Sequence, residues 1–188
     1  MFKQCFVALC FSVLPLSVSA EVENLPLHAD YCAIKRAMTG KTDSNCPVRE
    51  APGIPRSYSQ NAAPLDSVSS AQGYYIHFAF GSDDLTPDYQ AHLSRLSDVL
   101  SSSDLANLCL KLVGHTDAVG SAQFNDVLSQ RRARTVRLYL VGAMNFDGGR
   151  IITDGVGESE LLPDVSGEDP RNRRVEILAR DPENGACI

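Results

Sequence analysis

The chain has 188 residues, 44% of them hydrophobic, with 17 basic against 23 acidic side chains and a formal net charge of −6. That length holds one good domain plus an appendage, and the hydrophobic share is ordinary for a globular protein. No basic run occurs anywhere, and nucleic-acid binders carry a clustered positive face, so no nucleic-acid partner is expected.

Residues 1–20 read as a cleavable signal peptide. Lys3 supplies a positive charge, Phe6 to Leu16 is almost wholly apolar, and Val18-Ser19-Ala20 presents small residues ahead of Glu21. The apolar run falls short of the ~20 residues that span a bilayer. Leu9, before Cys10, is the wrong residue for a lipid-attachment box, and the apolar segment continues past that cysteine. Export carries Cys5 and Cys10 away and leaves Cys32, Cys46, Cys109 and Cys187. An even count in an exported chain points to two disulfides, with three pairings open in principle. Cys32 and Cys46 are near neighbours in a polar segment too small to hold itself together by burial, so they pair. Cys109 is then left with Cys187. No C-x-x-C or H-x-x-x-H spacing suggests zinc, and no metal or cofactor is expected.

Residues 21–50 form a small cysteine-bracketed segment in which Tyr31 to Met38 can make two helical turns, stopped by Thr39-Gly40. Residues 51–73, with Pro52, Pro55 and Pro64 among Ser, Ala, Gly and Asn, read as a flexible linker of roughly 25 Å r.m.s. span. The N-terminal segment can therefore sit well away from the main domain, placed at 74–181, and residues 182–188 are a tail.

In the main domain, Tyr75 to Phe80 reads as a buried strand. Thr86-Pro87 caps a helix running to the serines at 101–103. Leu108 to Val113 is a second strand, closed by Gly114. Ser121 opens a second helix, with Phe124, Val127, Leu128, Val136, Tyr139 and Leu140 on its apolar side, ending at Gly142. Arg150 to Val156 and Arg174 to Ala179 complete the set. The order β-α-β-α-β-β predicts an α+β domain, a mixed α/β-type sheet with both helices on one face.

The second helix carries the chemistry. Positions 124, 128, 132, 136 and 140 lie on one stripe and read Phe, Leu, Arg, Val, Leu. An unpaired buried guanidinium costs several kcal/mol, so Arg132 must reach water, an acid or an anionic ligand. The expected acid is Asp117, at the turn after the second strand, where open α/β sheets form a crevice. A carboxylate beside an arginine offers an acceptor for ammonium and a planar fork for carboxylate. Together they suit a free amino-acid centre.

Gly114-His115-Thr116-Asp117, with Gly120, Asn125, Leu128-Ser129, Arg131-Arg132-Ala133, Val136 and Tyr139-Leu140, resembles the OmpA-like peptidoglycan-binding domain family. Phe78-Ala79-Phe80 with Leu85, and the closing Asn172-Arg173-Arg174-Val175-Glu176-Ile177, extend the resemblance over residues 74–180. It implies non-covalent binding of peptidoglycan through the diaminopimelate of its peptide stem, with Asp117 and Arg132 on the zwitterionic end. Leu128 then lines the pocket, Asn125 supports the loop and helix start, and Thr116 stands beside the binding aspartate. Many relatives carry Asp or Asn directly after the Phe-x-Phe, where this chain has Gly81, so Asp83 or Asp84 would have to reach in.

These readings describe a periplasmic, wall-associated binding protein of the cell envelope, at or near the outer membrane, that tethers itself or a partner to the wall. The alternative is a structural component of an envelope assembly of flagellar or secretion type, held to an envelope protein through residues 21–50. No serine or cysteine nucleophile sits in a recognisable elbow near His115, so no enzyme activity is expected.

Overall fold

The computed structural model describes residues 25–41, 46, 72–103 and 105–187. The signal peptide and nearly all of the linker lie outside the described residues. The elements are α1 (Tyr31–Thr39), β1 (Gln72–His77), α2 (Pro87–Leu100), β2 (Cys109–Gly114), α3 (Ala122–Met144), β3 (Ile151–Gly155) and β4 (Arg174–Arg180), with 3-10 turns at Gly148–Arg150 and Pro170–Asn172. The sheet order is β1-β4-β2-β3. β2 runs parallel to β3, and β4 is antiparallel to both β1 and β2.

Strand alternation decides the layers. Tyr74, Ile76, Leu110, Leu112, Val175, Ile177 and Ala179 point to one face and join a single core with Leu93, Leu96 and Leu100 of α2 and Ala133, Val136 and Leu140 of α3. Three helices therefore cover one face of a mixed sheet. The caps match their sequence signals: the Thr86 hydroxyl accepts from the Tyr89 N–H with Pro87 at the first turn, and Ser121 accepts from Phe124.

Three details differ from the sequence reading. The segment 25–39 does not stand apart, because Leu25, Ala29, Ile34, Ala37 and Met38 are part of the same core. The Leu27 carbonyl also lies 3.2 Å from His92 Nδ1 and accepts from Arg95 of α2. A nine-residue amphipathic helix has too little surface to bury its stripe alone, and the Ile76 side of β1 supplies the missing cover. Strand β1 ends at His77, so Phe78 to Phe80 lies in the following turn. Helix α3 passes through Gly142 to Met144 and stops where Asn145 takes the left-handed conformation, φ 52°. A glycine inside a helix costs only about 1 kcal/mol, less than the seating of Phe146, whose N–H bonds the Leu140 carbonyl at 3.0 Å.

The structure joins Cys32 to Cys46 and Cys109 to Cys187. The second bond ties the C-terminal turn to the end of β2 remote from the Gly-His-Thr-Asp loop. No helix among the described residues is long and apolar enough to cross a membrane.

Candidate functional site

Gly114 fixes where α3 meets the sheet. A Cβ at this position would lie 1.9 Å from the Ser129 carbonyl oxygen, and one at Gly155 would lie 2.5 Å from the Gln130 nitrogen. The helix backbone therefore rests on the ends of β2 and β3 at residues 129–130. The next residues, one turn along, face the loops after β1 and β2. That is how Arg132 arrives at the sequence's Gly-His-Thr-Asp loop.

Arg132 is wholly covered. Its Nε donates to the Ser82 carbonyl at 2.9 Å, Nη1 to that of His115 at 2.8 Å and Nη2 to that of Ala79 at 3.1 Å. The guanidinium carbon stands 5.3 Å from the centre of the Phe78 ring. Burial lowers its pKa from 12.5 to about 10, opposed by the nearby Asp117 charge. Among the described residues, no carboxylate comes within 4.0 Å of it.

Asp117 reaches the same end of the sheet, but its contact partner is Arg173, Nη1 to Oδ2 at 3.0 Å. Arg173 also donates from Nε to the Phe78 carbonyl at 3.2 Å. The expected Asp117–Arg132 pair is thus a through-space pair, with Arg173 inserted beside the acid. Asp117 and Arg132 converge, yet each is held by other groups. The neighbouring arginines diverge: Arg171 bonds Asp169, and Arg174 bonds Glu176 at 2.7 Å on the opposite face of the sheet. Arg173 is the site residue that the sequence reading passed over.

Thr116 is buried, its N–H on the Gly157 carbonyl at 2.9 Å, and its hydroxyl has no hydrogen-bond partner among the described residues. Asn125, also buried, donates to the backbone carbonyls of Asp117 and Val119 and to Glu158 Oε2 at 2.5 Å. It shapes the loop and brings Glu158 in as a further carboxylate. Leu128 is buried on the inner side of α3. Phe124 and Val127, expected on the apolar side, are half-exposed. His115 is neutral, its pKa pushed down to about 3 by burial first and by Arg174 next.

Gly81 adopts φ +64° in the turn over Arg132, and a Cβ there would meet nothing within 4 Å. The turn is exposed, so the cover of the guanidinium is a surface loop whose carbonyls it borrows. Asp83 does not enter the site; it pairs with Arg131 at 3.5 Å. Asp84 accepts from the Ser82 hydroxyl at 3.0 Å.

An α+β domain with three helices on one face of a mixed four-stranded sheet carries a buried arginine and a buried aspartate at one end of that sheet. Residues 77–174 match the model of the OmpA family, and the chain belongs to that family. It is 34% identical to outer membrane porin F of Pseudomonas aeruginosa over 103 residues, 54% of this chain and 29% of that protein. It is 36% identical to outer membrane protein A of Bordetella avium over 104 residues, 53% of this chain and 51% of that protein. The chain spans about half of the length of one of these relatives and under a third of the other. The peptidoglycan-associated lipoprotein of Burkholderia pseudomallei shares the fold at a TM-score of 0.50 with 23% identity, over 56% of this chain and 89% of that one.

Proposed function

We propose that the domain binds cell-wall peptidoglycan without turnover, by gripping the free amino-acid centre of diaminopimelate in its peptide stem. One observation carries the reading: Arg132 is fully buried, with no carboxylate in contact among the described residues. A buried charge left to carbonyl dipoles is expensive, and a ligand carboxylate is the group that would complete it. Of the five N–H donors of Arg132, one is held by the His115 carbonyl, and the two bonded to the Ala79 and Ser82 carbonyls are those that a planar anion would take over. Asp117 then takes the ammonium, with Glu158 close by to add negative charge. The unpartnered Thr116 hydroxyl and the backbone groups of the 116–118 loop orient the remainder. For the arginine to be reached, the exposed 79–82 turn gives up its carbonyl bonds to the ligand. Membership of the OmpA family, and the name of the fold neighbour as peptidoglycan-associated, support the same ligand.

On this reading residues 1–20 export the chain to the periplasm, and the wall contact tethers it there. The apolar face of α1 is occupied by the domain's own core, so a tethered partner would use other surfaces. Sedimentation with purified sacculi tests the proposal: Asp117→Ala and Arg132→Met should each abolish co-sedimentation, and retained binding by both would remove the site.

A further inference from the structure

Exposure rises in a fixed order through the end of the sheet that holds Arg132. That arginine lies at the bottom, wholly covered, with each of its three nitrogens on a carbonyl. The Asp117 side chain is 6% exposed and that of Arg173 16%, while Phe80 stands outermost at 66%. Arg173 is therefore the guanidinium that a solute meets beside Asp117. Residue 78 grips it at both ends: its carbonyl accepts from the Phe78 N–H at 2.9 Å, and its Nε donates back to the Phe78 carbonyl at 3.2 Å. Nη1 goes to Asp117 Oδ2 at 3.0 Å, and the guanidinium carbon lies 6.0 Å from the centre of the Phe80 ring. Nη2 bonds nothing among the described residues, and it is not a buried atom. Of five N–H donors, three stay free, one on Nη1 and both on Nη2. A planar fork fixed before its ligand arrives suits a carboxylate.

Charge balance asks for the same group. A free amino-acid centre brings no net charge, and its ammonium takes a share of Asp117 from Arg173. Two guanidinium groups then depend on one carboxylate. Glu158 does not make up the difference, because it is bonded to Asn125 and forms an ion pair with neither arginine. Asp169 is already held by Arg171 at 2.9 Å. Resting on the grip proposed above, in which Asp117 and Arg132 hold the diaminopimelate end, we infer that Arg173 binds a second carboxylate of the same stem, the α-carboxylate of the γ-linked glutamate just before diaminopimelate. With the zwitterionic end pointing inward, the preceding residue leaves past the outer groups, which are Arg173 and Phe80. The Phe80 ring then walls the methylene groups of the glutamate. Because stems carry this carboxylate either free or as an amide, Arg173 makes the site selective for the unamidated form. The carboxylate on the backbone carbon of diaminopimelate, free where a stem stops there, has the same chemistry and is the alternative source.

Titration calorimetry of the purified chain with three stem tripeptides tests this: the free acid, one amidated at the glutamate carboxylate, and one amidated at the backbone carboxylate of diaminopimelate. For the wild type, glutamate amidation should weaken binding about tenfold, and the other amidation should leave it unchanged. Arg173→Gln, with unchanged circular dichroism, should bind the free acid about tenfold more weakly and lose nothing further on glutamate amidation. Equal affinity of the wild type for all three peptides would overturn the inference, and that comparison needs no variant. So would an Arg173→Gln chain that loses affinity for acid and amide alike, since the arginine then only supports Asp117. A penalty that follows the diaminopimelate backbone carboxylate would overturn the assignment to glutamate and move the contact there. A wild type that binds none of the three peptides removes the grip of Asp117 and Arg132 itself, and the inference with it.

Discussion

Replacing Arg132 by methionine separates stability from binding. Burial lowers the arginine's pKa by about 2.5 pH units, from 12.5 to about 10. Discounted for screening, that is a cost of about 2–3 kcal/mol for keeping the charge. Methionine removes this cost and fills a similar volume. It also orphans three carbonyls. Those of Ala79 and Ser82 sit on the exposed turn and can rehydrate, while that of His115 is buried and loses about 1–3 kcal/mol. The two effects nearly cancel, so Arg132→Met should unfold in urea within about 2 kcal/mol of the wild type. Binding behaves differently. A charge-assisted contact to the ligand carboxylate contributes about 3 kcal/mol, so affinity for a diaminopimelate-containing stem peptide, read by titration calorimetry, should fall about 100-fold. If the variant loses more than about 4 kcal/mol of stability, Arg132 is a strut for the 79–82 turn. If it binds as the wild type does, the reasoning fails.

Two further outcomes follow from the geometry. Gly114→Ala puts a Cβ 1.9 Å from the Ser129 carbonyl oxygen, backbone against backbone, so α3 must lift from the sheet. Thermal denaturation should show a loss of at least about 3 kcal/mol, and an unchanged melting temperature would refute the close approach. His115 stays neutral in the folded chain to about pH 3, while the unfolded chain protonates it near 6.5. Its folded pKa is depressed, so its contribution is full above pH 6.5 and is lost as pH falls towards 3. At pH 5 the loss is about 2 kcal/mol, and His77 and His92, also lowered by burial, act in the same direction. His115→Asn should flatten the urea-stability profile between pH 7 and 5 by that amount; a slope identical to the wild type's would contradict the buried, neutral ring.

Much of this arrangement is written locally. Period-two apolar runs place the strands, and Thr86-Pro87 and Ser121 start the helices as their hydroxyls dictate. Arg132 is conspicuous because a charge interrupts an apolar stripe. What escapes the sequence is decided by contacts between distant segments. The stripe of α1 announces that it needs cover, but not that β1 and α2 provide it. Arg171, Arg173 and Arg174 share one letter and nearly one place. Arg174 opens β4 on the face away from the helices, while Arg173 precedes the strand and turns to Asp117. That half-turn of backbone separates a buried ion pair on the other face of the sheet from a site residue. Gly142 looks like a helix stop because glycine is common past helix ends, yet the stop belongs to Asn145 and the seating of Phe146.

The claim that Asp117 and Arg132 recognise a zwitterionic centre is tested most directly by a matched pair of stem tripeptides. One ends in meso-diaminopimelate, with a free amine and carboxylate on one carbon, and the other ends in lysine, with the amine alone. In an NMR titration the account predicts that the diaminopimelate peptide shifts the Arg132 side-chain Nε–H and the amides of Thr116 to Ala118, and that the lysine peptide leaves them in place. Equal shifts from both peptides, or shifts confined to another part of the domain, would contradict it.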